Sequence, residues 1–271
     1  MITLLTDYGL ADEFVGVLHG VIARIAPGVR VIDVSHGIAA GDVAAGARVL
    51  ARAIDFLPTG VHVAVVDPGV GGERRAVALG SADGRSFVGP DNGVLIAAAD
   101  RCGGVVAAVD IGDSPFVLRP VSATFHGRDI FAPVAAALAT GEALDGVGRP
   151  VDRGSLIRLP GPVKAIADGV LQAEVVGVDG FGNVELAAGA ADGGAAGLAV
   201  GEDVQVRVSG HELHVGRMVR TFAEGQPGEL LLLADSGGQL ALALFRESAA
   251  RALGVRPGDV LELAAGGRPL P

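Results

Sequence analysis

The chain of 271 residues contains one cysteine, Cys102, and one lysine, Lys164. A lone thiol cannot close an internal disulfide, which fits a reducing compartment, and Cys102 reads as a core residue. No apolar run reaches the roughly eighteen residues that a bilayer span requires, so no membrane partner is expected. The start, MITLLTDYG, has neither a basic leader nor a cleavage pattern, and the expected location is the cytoplasm. Basic residues are scattered without a stripe on a formal net charge of -10, which argues against a nucleic-acid partner. HExxH, CxxC and dense carboxylate clusters are missing, so no metal site is expected. There is no P-loop, no GxSxG elbow and no reactive cysteine.

What the chain does have is a core, since half of it is hydrophobic, and one stretch that organises the rest. Residues 61–75 read VHVAVVDPGVGGERR. Val61, Val63, Val65 and Val66 form a β-branched run with little polar alternation, the pattern of a strand buried on both faces of a parallel sheet. Asp67 stands at its carboxyl end, where open α/β sheets bind ligands. Pro68, Gly69, Gly71 and Gly72 let the backbone turn sharply and approach something small, and Arg74 and Arg75 close the loop. With 43 glycines in the chain, glycine is partly background, and Gly-rich stretches such as 187–201 carry less weight.

Residues 2–5 form a short apolar run ending in Thr6-Asp7-Tyr8-Gly9, so a second carboxylate follows a strand as Asp67 does. Phe14, Val17, Leu18, Val21, Ile22 and Ile25 recur at helical spacing. Residues 29–34 read as a second strand, and a helix runs through Val43, Val49, Leu50 and Ile54 to Pro58. Residues 76–81 and 85–88 pair as a hairpin around Asp83-Gly84. A helix follows at 94–100 and a buried strand at 105–109. The segment SATFHGRD, 122–129, leads into a helix at 130–138 with Pro133 in its first turn. This alternation predicts a parallel or mixed α/β domain. Pro150, Pro160 and Pro162 mark a linker. Beyond it, 170–178, 204–208, 211–215, 229–233, 240–244 and 258–263 are short strands, with one helix at 248–253, which predicts a small β-barrel-like domain. The expected domains are 1–155 and 163–271.

Three loops of the first domain carry titratable groups beside a strand or helix end: Asp7 with Asp12, Asp67 with Arg74, and His126 with Arg128 and Asp129. Their convergence on one crevice is a stronger signal than any one alone. Taken singly, Asp67 reads as a turn cap, and His126 equally well as a helix-capping or packing residue. His62 falls within a strand, and His211 and His214 flank one; these read as structural or surface residues. The residues by themselves describe an α/β domain with an Asp/Arg/His crevice, plus a β domain.

The motifs TDYGxxDxFVG, VIDVSHGI, VDPGVGGERR, FVGPDNG, TFHGRDIFAP, VDGFGN and ADSGGQLALA resemble, in order and spacing, the S-adenosyl-L-methionine hydroxide adenosyltransferase family, whose superfamily includes fluorinases and chlorinases. The resemblance implies a Rossmann-like N-terminal α/β domain with a mostly parallel sheet, and a C-terminal β-barrel. It also implies a homotrimer with each site between the N-domain of one subunit and the C-domain of its neighbour. Asp67, Arg74 and His126 match the family's water-handling triad. Asp7 matches the carboxylate that accepts the ribose hydroxyls, and Asp12 the partner of the methionine ammonium. Asp179, Phe181, Asn183 and Ser236 match contacts to adenine and the methionine end. Phe222 stands where many relatives have Tyr, keeping a stacking face and losing a hydroxyl. Leu244 and Phe245 lie in a stretch that is more polar in the halogenases. The implied substrate is S-adenosyl-L-methionine, with no cofactor, and the products are adenosine and L-methionine. The triad, and a short hairpin where fluorinases carry an insertion, favour hydrolysis. The alternatives are a chlorinase-like halogenase and a non-catalytic S-adenosylmethionine or adenosine-binding protein. Whether Asp67 is a base or only orients water stays open at this level.

Overall fold

Residues 61–65 carry no charge, and the computed structural model, which describes residues 1–208 and 212–267, buries all five of them in a seven-stranded sheet. The chain divides into two units, Met1–Leu159 and Pro160 onward. In the first, β1 (Ile2–Thr6), α1 (Phe14–Ile25), β2 (Val31–Ser35), α2 (Val43–Ala53) and β3 (Val61–Val65) alternate. They are followed by the hairpin β4 (Ala76–Ser81) and β5 (Ser86–Pro90), then α3 (Ile96–Arg101), β6 (Val105–Asp110), α4 (Ala132–Ala139) and the two-residue β7 (Arg149–Pro150). The sheet order is β2-β1-β3-β5-β4-β6-β7. Pairing is parallel from β2 to β5 and antiparallel from there to β7.

Side chains alternate across this sheet. Ile2, Leu4, Val61, Val63 and Val65 pack with Leu18, Ile22, Phe131 and Val134 of the α1 and α4 side. Leu5, Ala64 and Val66 pack with Leu50, Ala98 and Ala99 of the α2 and α3 side. Helices on both faces leave no room for polar alternation, and each aliphatic side chain so buried contributes about 1.5–3 kcal/mol. The one polar residue of β3, His62, is paired: its Nδ1 lies 2.9 Å from Thr3 Oγ1 on β1, and its ring is 5.3 Å from Phe87. Burial and then the Arg85 charge push this imidazole down to about 4. Its role is structural. β6 departs from the expected buried strand, because Val106 and Ala107 are exposed and only the stub β7 lies beyond it.

The second unit contains β8 (Lys164–Ala167), β9 (Val170–Val178), β10 (Val184–Gly189), α5 (Ala190–Ala195), β11 (Asp203–Val208) and β12 (Glu212–Met218). It continues with β13 (Leu230–Ala234), β14 (Gln239–Leu244), α6 (Ala249–Leu253) and β15 (Val260–Ala265). Seven strands close into a barrel because the long β9 has two partners along one edge: β8 opposite its first half and β10 opposite its second. Alternate residues such as Leu171, Val175, Val206, Leu232, Leu242 and Leu263 fill the interior. β8, β10 and α5 are absent from the sequence-based expectation. α5 lies in the Ala/Gly run and starts where Asp192 accepts the Gly189 N–H at 2.8 Å, with Lys164 Nζ 3.0 Å from the same carboxylate. His211, expected at a strand edge, lies outside the described residues, while His214 lies on β12.

Candidate active site

β1 and β3 are parallel neighbours in register, Thr6 opposite Val65. Because α1 leads from β1 to β2 on one side and α2 leads back to β3 on the other, their shared carboxyl end is a topological switch point, the place where such sheets bind ligands. Asp7 directly follows β1, and Asp67 follows β3 after Val66. Asp7 accepts the Gly41 N–H on Oδ2 at 2.8 Å, which anchors the carboxylate and leaves lone pairs on both oxygens. Asp12 is exposed in the loop before α1.

The glycine loop brings Arg74 back over Asp67. Arg74 Nε lies 3.0 Å from both Asp67 oxygens, and its Nη2 donates to Oδ2 as well. Both side chains are largely withdrawn from solvent, at 5% exposure for Asp67 and 12% for Arg74, and the guanidinium lies 5.5 Å from the Phe131 ring centroid. The same Nη2 is 2.7 Å from His126 Nδ1. A guanidinium only donates, so Nδ1 is the acceptor and the ring proton is on Nε2. His126 is therefore a neutral imidazole whose remaining polar atom is an N–H donor. Its pKa is lowered by burial and then by the Arg74 charge, against the opposite pull of Asp67 and Asp129.

The local fold makes this convergence possible at two glycines. Gly71 has φ of +75°, and a Cβ there would stand 2.3 Å from the Ala123 carbonyl oxygen, so the glycine loop docks directly on the His126 loop. At Gly127, a Cβ would stand 2.4 Å from the Tyr8 hydroxyl. His126 immediately precedes a five-residue π-helical turn, Gly127–Phe131, a deviation that recurs at functional sites. Arg128 and Asp129 belong to the scaffold: Arg128 Nε lies 2.7 Å from Asp129 Oδ1, and Asp129 Oδ2 accepts the Ser122 N–H at 2.8 Å. Arg75 is likewise tied, to Asp91 at 2.8 Å and Ser155 at 2.9 Å. Beside the triad, a cavity of about 660 Å³ is lined by Arg74, His126, Val121 and Ile130.

The second unit gathers another group of expected residues. Phe181, Asn183 and Phe222 line a mostly apolar pocket of about 560 Å³ together with Leu244, Phe245 and Ser248. Phe181 and Phe222 are exposed, at 84% and 50%, with ring faces open to a planar ligand. Asp179 is used by its own loop: Oδ1 accepts the Phe181 and Asn183 N–H groups at 2.8 and 2.9 Å, and Oδ2 the Asn183 amide at 2.7 Å. It positions Phe181 and Asn183. Ser236 is exposed in the turn between β13 and β14 and does not line the pocket.

Residues 2–148 match the model of the SAM hydroxide adenosyltransferase N-terminal domain, and residues 173–262 that of the C-terminal domain. The chain belongs to the SAM hydroxide adenosyltransferase family. Within it, the chain is 52% identical over 266 residues, 98% of each sequence, to the Salinispora tropica protein named (R)-S-adenosyl-L-methionine hydrolase. A protein named fluorinase from an Actinoplanes species is more distant, at 28% identity over 90% of each chain. In fold, the chain resembles the crystal structure of an uncharacterized conserved protein from Thermotoga maritima, with a TM-score of 0.91 and 36% identity over 97% of this chain and all of that one.

One residue at this edge escaped the sequence reading. Tyr8 lies within the TDYG motif, where only the carboxylate Asp7 carried a reading. Its ring centroid lies 5.8 Å from that of Phe14 and 5.9 Å from that of Phe125, while its hydroxyl reaches the triad loop at Gly127. Burial and then the Asp7 and Asp67 charges raise its pKa, so the phenol stays protonated.

Proposed function

We propose that this protein hydrolyses S-adenosyl-L-methionine to adenosine and L-methionine by in-line attack of water on C5′. The observation that carries the reading is the hydrogen-bonded set Asp67, Arg74 and His126 at the sheet's carboxyl edge beside Asp7. The 52% identity to a protein named as that hydrolase supports it. In the reaction the C5′–O bond forms, the C5′–S bond breaks with its electron pair going to sulfur, and one proton leaves the water. The sulfonium is already a good leaving group, so the site's task is to hold and orient the nucleophile.

The donor and acceptor inventory assigns the roles. Asp67 Oδ2 receives two N–H contacts from Arg74 and Oδ1 receives one, so a lone pair remains on Oδ1 to accept a proton of the water. His126 donates its Nε2–H to the water oxygen, and the remaining lone pair points at C5′. Arg74 acts through its charge, which favours hydroxide character in a neighbouring water. Attack by a hydroxide-like water on a sulfonium neutralises charge, so apolar walls help the transition state. General-base assistance of this kind is worth about 10²–10⁴ in rate, and positioning contributes further. Asp7 takes the ribose hydroxyls, Asp12 the methionine ammonium, and the Phe181, Asn183 and Phe222 pocket the adenine. Ser236 serves the methionine end, and Asp179 acts by shaping its loop. No cofactor enters, because S-adenosylmethionine is itself the activated compound.

The assembly proposed is a homotrimer in which the second unit of one copy completes the site on the first unit of another, working in the cytoplasm. Two impaired variants test this: Asp67→Asn, low in turnover, and Phe181→Ala, raised in KM, mixed at substrate well below that KM and allowed to exchange subunits, regain part of the activity if sites are shared between copies. No regain in mixed oligomers contradicts sharing. The activity itself is tested by incubating the pure protein with S-adenosylmethionine and separating the products. Adenosine and methionine in equal amounts are expected. A chloride-dependent 5′-chloro-5′-deoxyadenosine would establish a halogenase instead, and tight adenosine binding without turnover a binding protein.

A further inference from the structure

Tyr8 stands at this edge and is left unused by the proposed reaction. Its ring is fixed by a tilted contact to Phe14 and an edge-on contact to Phe125, which also pack on each other at 5.2 Å. Its hydroxyl is therefore held in place by packing, and it fills the space that any side chain at position 127 would occupy. Among the described residues the hydroxyl has no hydrogen-bond partner, although the backbone N–H of Tyr8 is bonded to Thr6 Oγ1 at 3.2 Å. Tyr8 is half-buried, and a phenol oxygen held in place by packing without a protein partner is free to bond a water or a ligand.

We propose that the Tyr8 hydroxyl is a further catalytic group, a third contact to the nucleophilic water, seated in the gap left by Gly127. The inference rests on the hydrolase reading. A water poised for attack has two protons and two lone pairs to place. Asp67 Oδ1 takes one proton, His126 Nε2–H occupies one lone pair, and the second lone pair must face C5′. The second proton needs an acceptor, and the phenol oxygen supplies it. With all three contacts made, the water cannot rotate its nucleophilic lone pair away from the carbon, which is the orientation that turns binding into rate. Gly127 takes part by having no side chain: an added methyl would displace the hydroxyl.

The test is a double-mutant cycle on the full-length protein with Tyr8→Phe, Gly127→Ala and the pair, measuring kcat and KM for S-adenosylmethionine and the thermal midpoint. Tyr8→Phe keeps the aromatic cluster and removes one oxygen, so the midpoint stays close to that of the parent, kcat falls about tenfold and KM changes less than twofold. Gly127→Ala lowers kcat to a similar degree, and the double variant is no worse than either single one, because both remove the same contact. A Tyr8→Phe enzyme with kcat within twofold of the parent, or losses that multiply in the pair, overturns the inference and leaves the hydrolase reading standing. If the unaltered protein releases no adenosine, the hydrolase reading fails and this inference fails with it.

Discussion

Replacing Asp67 by Asn keeps the volume and removes the charge, and two consequences can be sized separately. For stability, the substitution leaves the Arg74 guanidinium, 12% exposed, without its anion. Removing one partner of a buried pair costs about 3 kcal/mol, which in a chain of this size lowers the thermal midpoint by roughly 6–12 °C. For activity, the amide can face only one way at a time. With its oxygen toward Arg74, its NH₂ faces the water, which needs an acceptor; turned over, the NH₂ meets the guanidinium donors. Either way the water loses its proton acceptor, and turnover falls by about 10²–10⁴. Product release followed by chromatography, at a temperature where urea melts show the variant to be folded, measures the second effect apart from the first. A folded Asp67→Asn protein with more than a tenth of the parent turnover would refute the assignment and return Asp67 to the role of a turn cap.

Other consequences follow from single residues. His62 is held at about 4 against 6.5 in the unfolded chain, so the unfolded state binds the proton first and stability falls as pH drops from about 6.5 toward 4. The loss reaches about 3 kcal/mol, and urea titrations across that window should have a shallower pH slope in His62→Asn; an unchanged slope contradicts this. Gly71→Ala puts a side chain into a φ of +75° and against the Ala123 carbonyl. It should cost about 1–3 kcal/mol and displace Arg74 enough to lower turnover more than tenfold, whereas parental turnover would show that the two loops do not depend on each other. Phe181→Ala removes an exposed ring, so the thermal midpoint should hardly move. Loss of stacking worth about 1–3 kcal/mol should raise KM roughly 5- to 150-fold, and an unchanged KM removes Phe181 from the adenine pocket.

The parts of the molecule that could be read in advance are those where one physical demand dominates. Burial on both faces forces the valine-rich, charge-free run of β3, and Asp67 and the glycines follow because the chain must leave the sheet there. β8 and β10 obey weaker demands: the first is exposed along its length and the second is Ala- and Gly-rich, so neither has the β-branched signature. α5 depends on one capping carboxylate in a stretch whose composition argues for a loop. At the site, the convergence of Asp67, Arg74 and His126 follows the motif reading, but the direction of the Arg74 to His126 hydrogen bond, and hence the neutral ring, needs coordinates. Asp179 is matched to a ligand contact by the resemblance alone, and the three bonds it accepts within its own loop are visible only in the coordinates. Tyr8 is visible in the TDYG motif, but the approach of its hydroxyl to Gly127 depends on the fold.

In the proposed mechanism, the oxygen of a water molecule held by Asp67 and His126 becomes the 5′-hydroxyl of adenosine. Turnover of S-adenosylmethionine in oxygen-18 water, with mass analysis of both products, tests it most directly. One heavy oxygen is expected in every adenosine formed, located at the 5′ position, and none in methionine. Adenosine without the label, or label confined to methionine, would mean that bond cleavage does not proceed by attack of water on C5′.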